Sequence, residues 1–311
     1  MYRETDWTEF IQCITKEMNW GWMMVSLAFG ILPGMIRGWR WKMALTPLGE
    51  RARNRTCIHA VFLSYASSLV IPRIGEVTRC GTLKKYDGVS FTKALGTVVT
   101  ERIVDSLVIL LLTGLAVCLQ IPTLFHFLET TGTDIQSILL KFTGTGYLVT
   151  LLCLTAIAGL AVFLIYRFSI FKKGKDAMNN LLTGVMSLKK VKNIPLYLIY
   201  SVGIWLAYFL HFYTAFFCFD FTSGIDPMAA FFIFCVGTFA VLVPTPNGAG
   251  PWHFAVKTML VIYGVAEPKA ILFALTVHTI QTFEVVLLGA YSWADLTFRK
   301  DRQQMQSQIK N

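Results

Sequence analysis

Charge is what this chain has least of. Only 15% of its 311 residues are Asp, Glu, Lys or Arg, where a soluble domain carries about 25%. With 55% hydrophobic residues and a mean hydropathy of +0.56, that scarcity excludes a soluble globule and indicates a polytopic membrane protein. Catalytic signatures are missing too. No HExxH, Walker A, G-x-S-x-G or paired-cysteine spacing occurs, so no familiar catalytic machinery, metal site or cofactor is indicated. The cysteines, Cys13, Cys57, Cys80, Cys118, Cys153, Cys218 and Cys235, stand singly, mostly inside apolar runs. They read as small core hydrophobes, with no disulfide framework. The first 17 residues mix acids, bases and tryptophan, unlike a cleavable signal. An interfacial helix over Trp7 to Glu17 is expected instead.

The net charge of +10 would suit nucleic acid, but the bases sit in short segments beside apolar runs, where the positive-inside rule puts them. Nucleic acid is therefore not the expected partner. A first span over about Asn19 to Ile36, flanked by Trp20, Trp22, Trp39 and Trp41, leads into Arg37, Arg40, Lys42, Arg51, Arg53 and Arg55, read as a cytoplasmic loop. Full spans are also expected from about Leu95 to Leu119, Gly144 to Tyr166, Pro195 to Phe219 and Lys269 to Leu296. The N-terminus is then outside, and the tail of residues 297–311, with Arg299, Lys300 and Arg302, is cytoplasmic.

Two shorter apolar stretches are broken. Cys57 to Ile71 stops at Pro72, because proline lacks an amide proton and its ring clashes with the carbonyl one turn back. Met228 to Val243 stops at Pro244-Thr-Pro-Asn-Gly-Ala-Gly-Pro251 and resumes from Trp252. Loop signs make each a re-entrant hairpin, the first from inside and the second from outside, although two thin crossings would leave the signs nearly unchanged. The fold class is then all-α, with an inverted repeat of span, broken hairpin and span in residues 19–119 and 195–296, joined by a connecting span over 144–166. Ala94-Leu-Gly-Thr-Val-Val-Thr-Glu101 echoes Ala274-Leu-Thr-Val-His-Thr-Ile-Gln281. Inverted repeats with broken helices mark secondary transporters.

The charges nearest the first break are Arg73, Glu76 and Arg79, followed on the next apolar run by Glu101, Arg102 and Asp105. Six charges facing lipid would cost about 15 to 20 kcal/mol, more than the neighbouring apolar residues recover. They must face protein, a wet cavity or headgroups. Arg73 and Arg79 on a helix N-terminus would make a phosphate site, since guanidinium binds oxyanions in bidentate fashion. Equally, they could pair with Glu101 and Asp105 as a structural clamp, with Arg102 reaching Asp105 three residues on. Glu101 and Asp105 would then be either counter-charges or a proton-sensitive element.

Pro244, Pro246, Asn247, Gly248 and Gly250 prevent a continuous helix, so freed backbone groups can line a polar cavity with His253 just beyond. His278, Gln281 and Glu284 recur every three residues as a polar stripe. Ionisable groups at such depth are functional by default, against the bland reading of a histidine satisfied by a carbonyl. His59 and His211 read as core or helix-interface residues.

Pro72-Arg-Ile-Gly-Glu-Val-Thr-Arg79, Glu101-Arg102-x-x-Asp105 and Pro244-Thr-Pro-Asn-Gly-Ala-Gly250 resemble the membrane domain of the lysylphosphatidylglycerol synthase/flippase family, over about Arg37 to Leu296. The resemblance implies a bacterial inner-membrane protein moving lipids between leaflets. Arg73, Glu76, Arg79, Glu101, Arg102 and Asp105 would line the headgroup path, opposite a broken helix at Pro244, Pro246, Gly248 and Gly250. Asn247 stands where the family commonly has glycine, and His253 near a family glutamate. The chain ends soon after its last span, so the soluble aminoacyl-transfer domain, and with it lysine transfer, is not expected. The expected partner is a membrane lipid with a phosphate headgroup: anionic, aminoacylated or polyprenyl phosphate. A non-catalytic partner presenting such a lipid to a separate transferase is the alternative. Oligomeric state is not readable from these residues.

Overall fold

Asn19 starts the first long helix: its side-chain oxygen accepts from the amides of Gly21 and Trp22, donors that the helix itself leaves unpaired. The structure is a computed structural model that describes residues 11–121, 123, 176, 179–180, 182–184, 186–243 and 245–309. Among these residues every regular element is helical. The principal helices are α1 (Trp20–Leu45), α2 (Asn54–Val70), α3 (Gly75–Asp87), α4 (Phe91–Leu119), α5 (Ile194–Ala215), α6 (Pro227–Ala240), α7 (Pro251–Ile262) and α8 (Glu267–Ile309). Four helical stretches are long and apolar enough to cross a bilayer: Trp20–Leu48, Phe91–Leu119, Ile194–Cys218 and Glu267–Phe298.

Local chemistry sets most boundaries. Pro195 in the first turn of α5 and Pro227 in that of α6 follow the caps Asn193 and Asp226, whose side chains accept from the first free amides. Pro72 separates α2 from α3, as its missing donor requires. The expected span Gly144 to Tyr166, Pro244 and the start of the interfacial helix lie outside the described residues. Of that helix, Cys13–Glu17 forms a single π-helical turn.

One expected boundary is corrected. Arg37, Arg40 and Lys42 are not loop residues, because α1 runs on to Leu45. Trp41, expected at the interface, is fully buried.

The helices pack in matched pairs. α1 lies along α5, α2 against α8 and α6 against α4. α2 folds back on α3 and α6 on α7. At the open end of the α2–α3 hairpin, Asp87 accepts from the Arg53 amide at 2.8 Å, Arg53 Nε at 2.7 Å and Thr56 Oγ1 at 3.1 Å. Near its tip, Gly75 sits so close to the Ser64 carbonyl that an added methyl would overlap it. Gly75→Ala is therefore expected to destabilise the protein by about 1–3 kcal/mol through overpacking, read as a lowered thermal midpoint in detergent. Gly81, whose missing Cβ would meet nothing within 4 Å, is the control.

Two apolar cores lie toward opposite ends of α1. One gathers Met23, Phe212, Phe216, Phe232, Val256 and Phe273; the other gathers Trp41, Leu45, Val61, Leu83 and Val98.

Candidate functional site

Asp105 is the middle residue of α4, the most apolar of the four spans. It stands near the start of the helix's apolar stretch, where a carboxylate must be answered by protein because hydrocarbon cannot solvate it. Two guanidiniums from α1 meet it: Arg37 Nη1 lies 2.6 Å from Oδ2 and Arg40 Nη1 2.6 Å from Oδ1. Arg37 and Arg40 are three residues apart, so both point to the same side of α1. One turn before Asp105, Glu101 receives Arg79 of α3, with Nη2 2.7 Å from Oε2. Arg40 Nε is 3.9 Å from Glu101 Oε1 and ties the two pairs into one cluster.

Arg37, Arg40, Arg79, Glu101 and Asp105 are each at most 4% exposed. Three cations against two anions leave a surplus of one positive charge. The surroundings are arranged for guanidinium. Arg79 stacks over Trp41 at 4.7 Å, and Trp41 Nε1 donates to Thr97 Oγ1 at 2.9 Å. Arg40 lies 5.4 Å from the Tyr197 ring centre and donates to Ser201 Oγ at 2.8 Å. Nε of Arg37, Nε and Nη2 of Arg40, and Nε and Nη1 of Arg79 have no hydrogen-bond acceptor among the described residues, and Glu101 Oε1 and Oε2 and Asp105 Oδ1 meet their arginines as ion pairs without a hydrogen bond. An oxyanion is the ligand that such a surplus of guanidinium donors recognises.

The six charges singled out in the sequence divide between several partners. Arg79, Glu101 and Asp105 enter the buried cluster. Arg102 does not pair with Asp105, whose oxygens are taken by Arg37 and Arg40. It meets Glu76 at 2.7 Å in a half-exposed pair at the rim. Arg73 and Arg79 take separate partners. Arg73 is exposed, in a left-handed conformation (φ 64°), and donates to the Leu242 carbonyl at 3.3 Å. The first hairpin tip thus touches the end of α6, next to the second break.

At that break Pro246–Gly248 makes one 3-10 turn, with Asn247 left-handed at φ 53° and Gly248 and Gly250 also at positive φ. Asn247 Nδ2 donates to Thr282 Oγ1 at 2.6 Å, and His278 Nε2 donates to the Asn247 carbonyl at 3.1 Å. His253 closes the turn: its Nδ1 accepts from the Gly250 amide at 3.2 Å, and its ring lies 4.4 Å from that of His278. The other stripe members go elsewhere. Gln281 donates to Ser26 Oγ on α1, and Glu284 faces His211 on α5. His59 joins α2 to α8, with Ser292 Oγ 2.9 Å from Nδ1 and Asp295 Oδ2 3.3 Å from Nε2.

Arg37 and Arg40 are the functional candidates that the sequence reading missed. The signal was available: Glu101 and Asp105 in an apolar helix demand buried cations, and two arginines three apart sit at the end of another apolar run.

Residues 1–289 match the family described as the lysylphosphatidylglycerol synthase TM region. A UPF0104 membrane protein, MJ1078 of Methanocaldococcus jannaschii, is 26% identical over 230 residues, 73% of this chain and 92% of that protein. No solved structure matches. With nearly its whole length matched and four helices suited to crossing a bilayer, this integral membrane protein belongs to the lysylphosphatidylglycerol synthase transmembrane-region family.

Proposed function

We propose that the protein is a lipid carrier that moves a phosphate-bearing lipid between leaflets of a bacterial inner membrane, with its N-terminus outside and its C-terminus in the cytoplasm. The headgroup is anionic, aminoacylated or a polyprenyl phosphate. The observation that carries this reading is the buried cluster of three guanidiniums against two carboxylates, with N–H donors left over among the described residues. The phosphate meets Arg79 and Arg40 while the acyl chains stay in the bilayer.

The same reading makes the two halves inverted repeats, α1 to α4 and α5 to α8. Its support is the pairwise packing: α1 with its equivalent α5, and α2–α8 matched by α6–α4. Each hairpin helix has 17 residues or fewer, about 18–26 Å at 1.5 Å per residue and short of a hydrocarbon core of about 30 Å. That favours re-entrant hairpins over crossings. Both tips place a left-handed residue after a proline, Arg73 after Pro72 and Asn247 after Pro246. Alternating access is then the opening of one tip while the other stays shut.

The test is leaflet exchange of a fluorescent phosphatidylglycerol in reconstituted vesicles. Arg79→Ala is expected to abolish it, and Lys85→Ala, an exposed change outside the cluster, to leave it unchanged. Since Arg79→Ala leaves Glu101 buried without its 2.7 Å partner, the double variant R79M/E101Q keeps the charge balance and is expected to fold yet not exchange. Equal loss from Lys85→Ala, or full exchange by the double variant, refutes the carrier. Retained lipid binding without exchange by the wild type points to a partner that presents lipid to a separate transferase.

A further inference from the structure

Away from the guanidinium cluster, three helices bring together a second group of polar side chains. Ser26 and Gly30 come from α1, His211 from α5, and Gln281 and Glu284 from α8. The Glu284 side chain is 10% exposed, and its Oε1 has no hydrogen-bond partner among the described residues. His211 Nε2, at 4.0 Å from Oε2, is its ion-pair neighbour, and no Lys or Arg pairs with it among those residues. A methyl at Gly30 would lie 2.5 Å from Glu284 Oε2 and 2.8 Å from His211 Cε1. A glycine on α1 is therefore what lets carboxyl and imidazole share this space.

The groups around the pair are accounted for element by element. From α1 come the Ser26 hydroxyl and backbone, with Arg37 about three turns further on and engaged by Asp105. α5 also carries Tyr208, hydrogen-bonded to Tyr65 of α2 at 2.9 Å, and Tyr213, whose ring packs on Phe209 and Phe217. α2 otherwise meets α8 further along, through Ala66 at Gly289 and His59 at Asp295. From α7, His253 faces His278, and Lys257 pairs with Glu267.

The hydrogen bonding defines what the pair binds. His211 Nδ1 lies 2.6 Å from the Ser26 carbonyl and must donate to it, while Ser26 Oγ donates to the His211 carbonyl at 2.6 Å. In the neutral ring Nε2 is then a bare lone pair turned toward the carboxyl. One proton between Glu284 Oε2 and His211 Nε2 makes the pair neutral, whichever atom carries it. Without that proton a carboxylate is buried with no cation opposite, the costly state in an apolar interior.

We propose that Glu284 and His211 form a proton-binding site separate from the phosphate site, and that a proton taken up there from one side of the membrane and released to the other drives the hairpins. The coupling part rests on the carrier reading above; the proton site does not. Placement supports the link. On α8, Glu284 is six residues from His278, which holds the second hairpin tip through Asn247, about 9 Å along the helix. On α1, Gly30 is seven residues from Arg37, about 10 Å. A charge change at Glu284 is thus felt at both places through rigid helices.

The experiment has two arms on the full chain reconstituted in phosphatidylcholine vesicles. In the first, infrared titration follows the carbonyl stretch of protonated carboxyl groups together with the carboxylate stretch and the imidazolium ring modes, so that the proton is seen on either Glu284 or His211. The wild type is expected to show a titrating band that is absent in Glu284→Gln and kept in Glu267→Gln, a change at an exposed carboxylate. A band unaltered by Glu284→Gln overturns the proton site. In the second arm a pH gradient is imposed during exchange of labelled phosphatidylglycerol. For one proton carried per lipid, the wild type is expected to build a leaflet asymmetry of about tenfold per pH unit, and Glu284→Gln none. Exchange by the wild type that ignores the gradient overturns the coupling. A titrating, Glu284-dependent band without any exchange supports the proton site and refutes the carrier.

Discussion

Asp105→Leu is expected to destabilise the protein by about 3–5 kcal/mol, the loss seen when one partner of a buried ion pair is removed. Arg37 and Arg40 would keep their positions on α1, both almost fully buried, with no carboxylate closer than Glu101 at 3.9 Å from Arg40 Nε. Apolar bulk cannot answer two guanidiniums, so the cost falls on the charges left behind. Asp105→Asn keeps the shape and an acceptor, so its loss should be smaller. Restoring the balance by adding Arg37→Met to Asp105→Leu is expected to recover much of the loss, because a buried pair exchanged for apolar side chains is often neutral. Arg102→Leu, at the half-exposed rim pair with Glu76, is expected to cost at most about 1 kcal/mol. Thermal unfolding in detergent, followed by tryptophan fluorescence, orders the four variants. Asp105→Leu as benign as Arg102→Leu would mean that the cluster is reached by water, and the phosphate site would lose its dry setting.

What the sequence revealed and what it hid divide along one line: local against long-range causes. The break between α2 and α3 was legible because Pro72 acts on its own turn; the resumption expected at Trp252 falls one residue late, because Pro251 itself takes the first helical position of α7. Glu101 and Asp105 stood out because an apolar helix carries them at i, i+4. Arg79, which meets Glu101 at 2.7 Å, was among the expected clamp residues, but the partners of Asp105 did not stand out, since Arg37 and Arg40 sit beside other bases in a stretch that hydropathy reads as a loop. Only burial against a helix 68 residues away makes them part of a core. The stripe His278, Gln281 and Glu284 shows a second limit. Steps of three fall short of a full turn by about 60° each, so six residues on, the side chain faces a different neighbour. His278 accordingly meets the second hairpin tip, Gln281 meets α1, and Glu284 meets α5.

Joining residues 73 and 242 is expected to arrest leaflet exchange, and releasing them to restore it. Among the described residues one hydrogen bond joins the two tips, from Arg73 to the Leu242 carbonyl at 3.3 Å, beside the packing of α2 on the Pro246–Gly248 turn. A bond to a charged donor is worth about 1.5–3 kcal/mol, small enough to break in each transport cycle. Arg73→Ala alone should therefore not stop the carrier; by loosening the closed state it should speed tip opening by about tenfold. A covalent tie replaces this weak latch with one that thermal motion cannot break. Arg73→Cys and Leu242→Cys joined by a flexible, disulfide-containing reagent test it, in a background where Cys13, Cys153 and Cys118, the last of them exposed, are replaced. Thiols at 53 and 87 are the control: Arg53 and Asp87 already close the open end of the α2–α3 hairpin at 2.7 Å, so a link there joins parts that move together. Exchange is expected to fall to background in the 73/242 protein, return on reduction, and persist in the 53/87 protein. Unimpeded exchange with 73 and 242 joined would show that the tips do not separate during transport, and alternating access by the two hairpins would have to be given up.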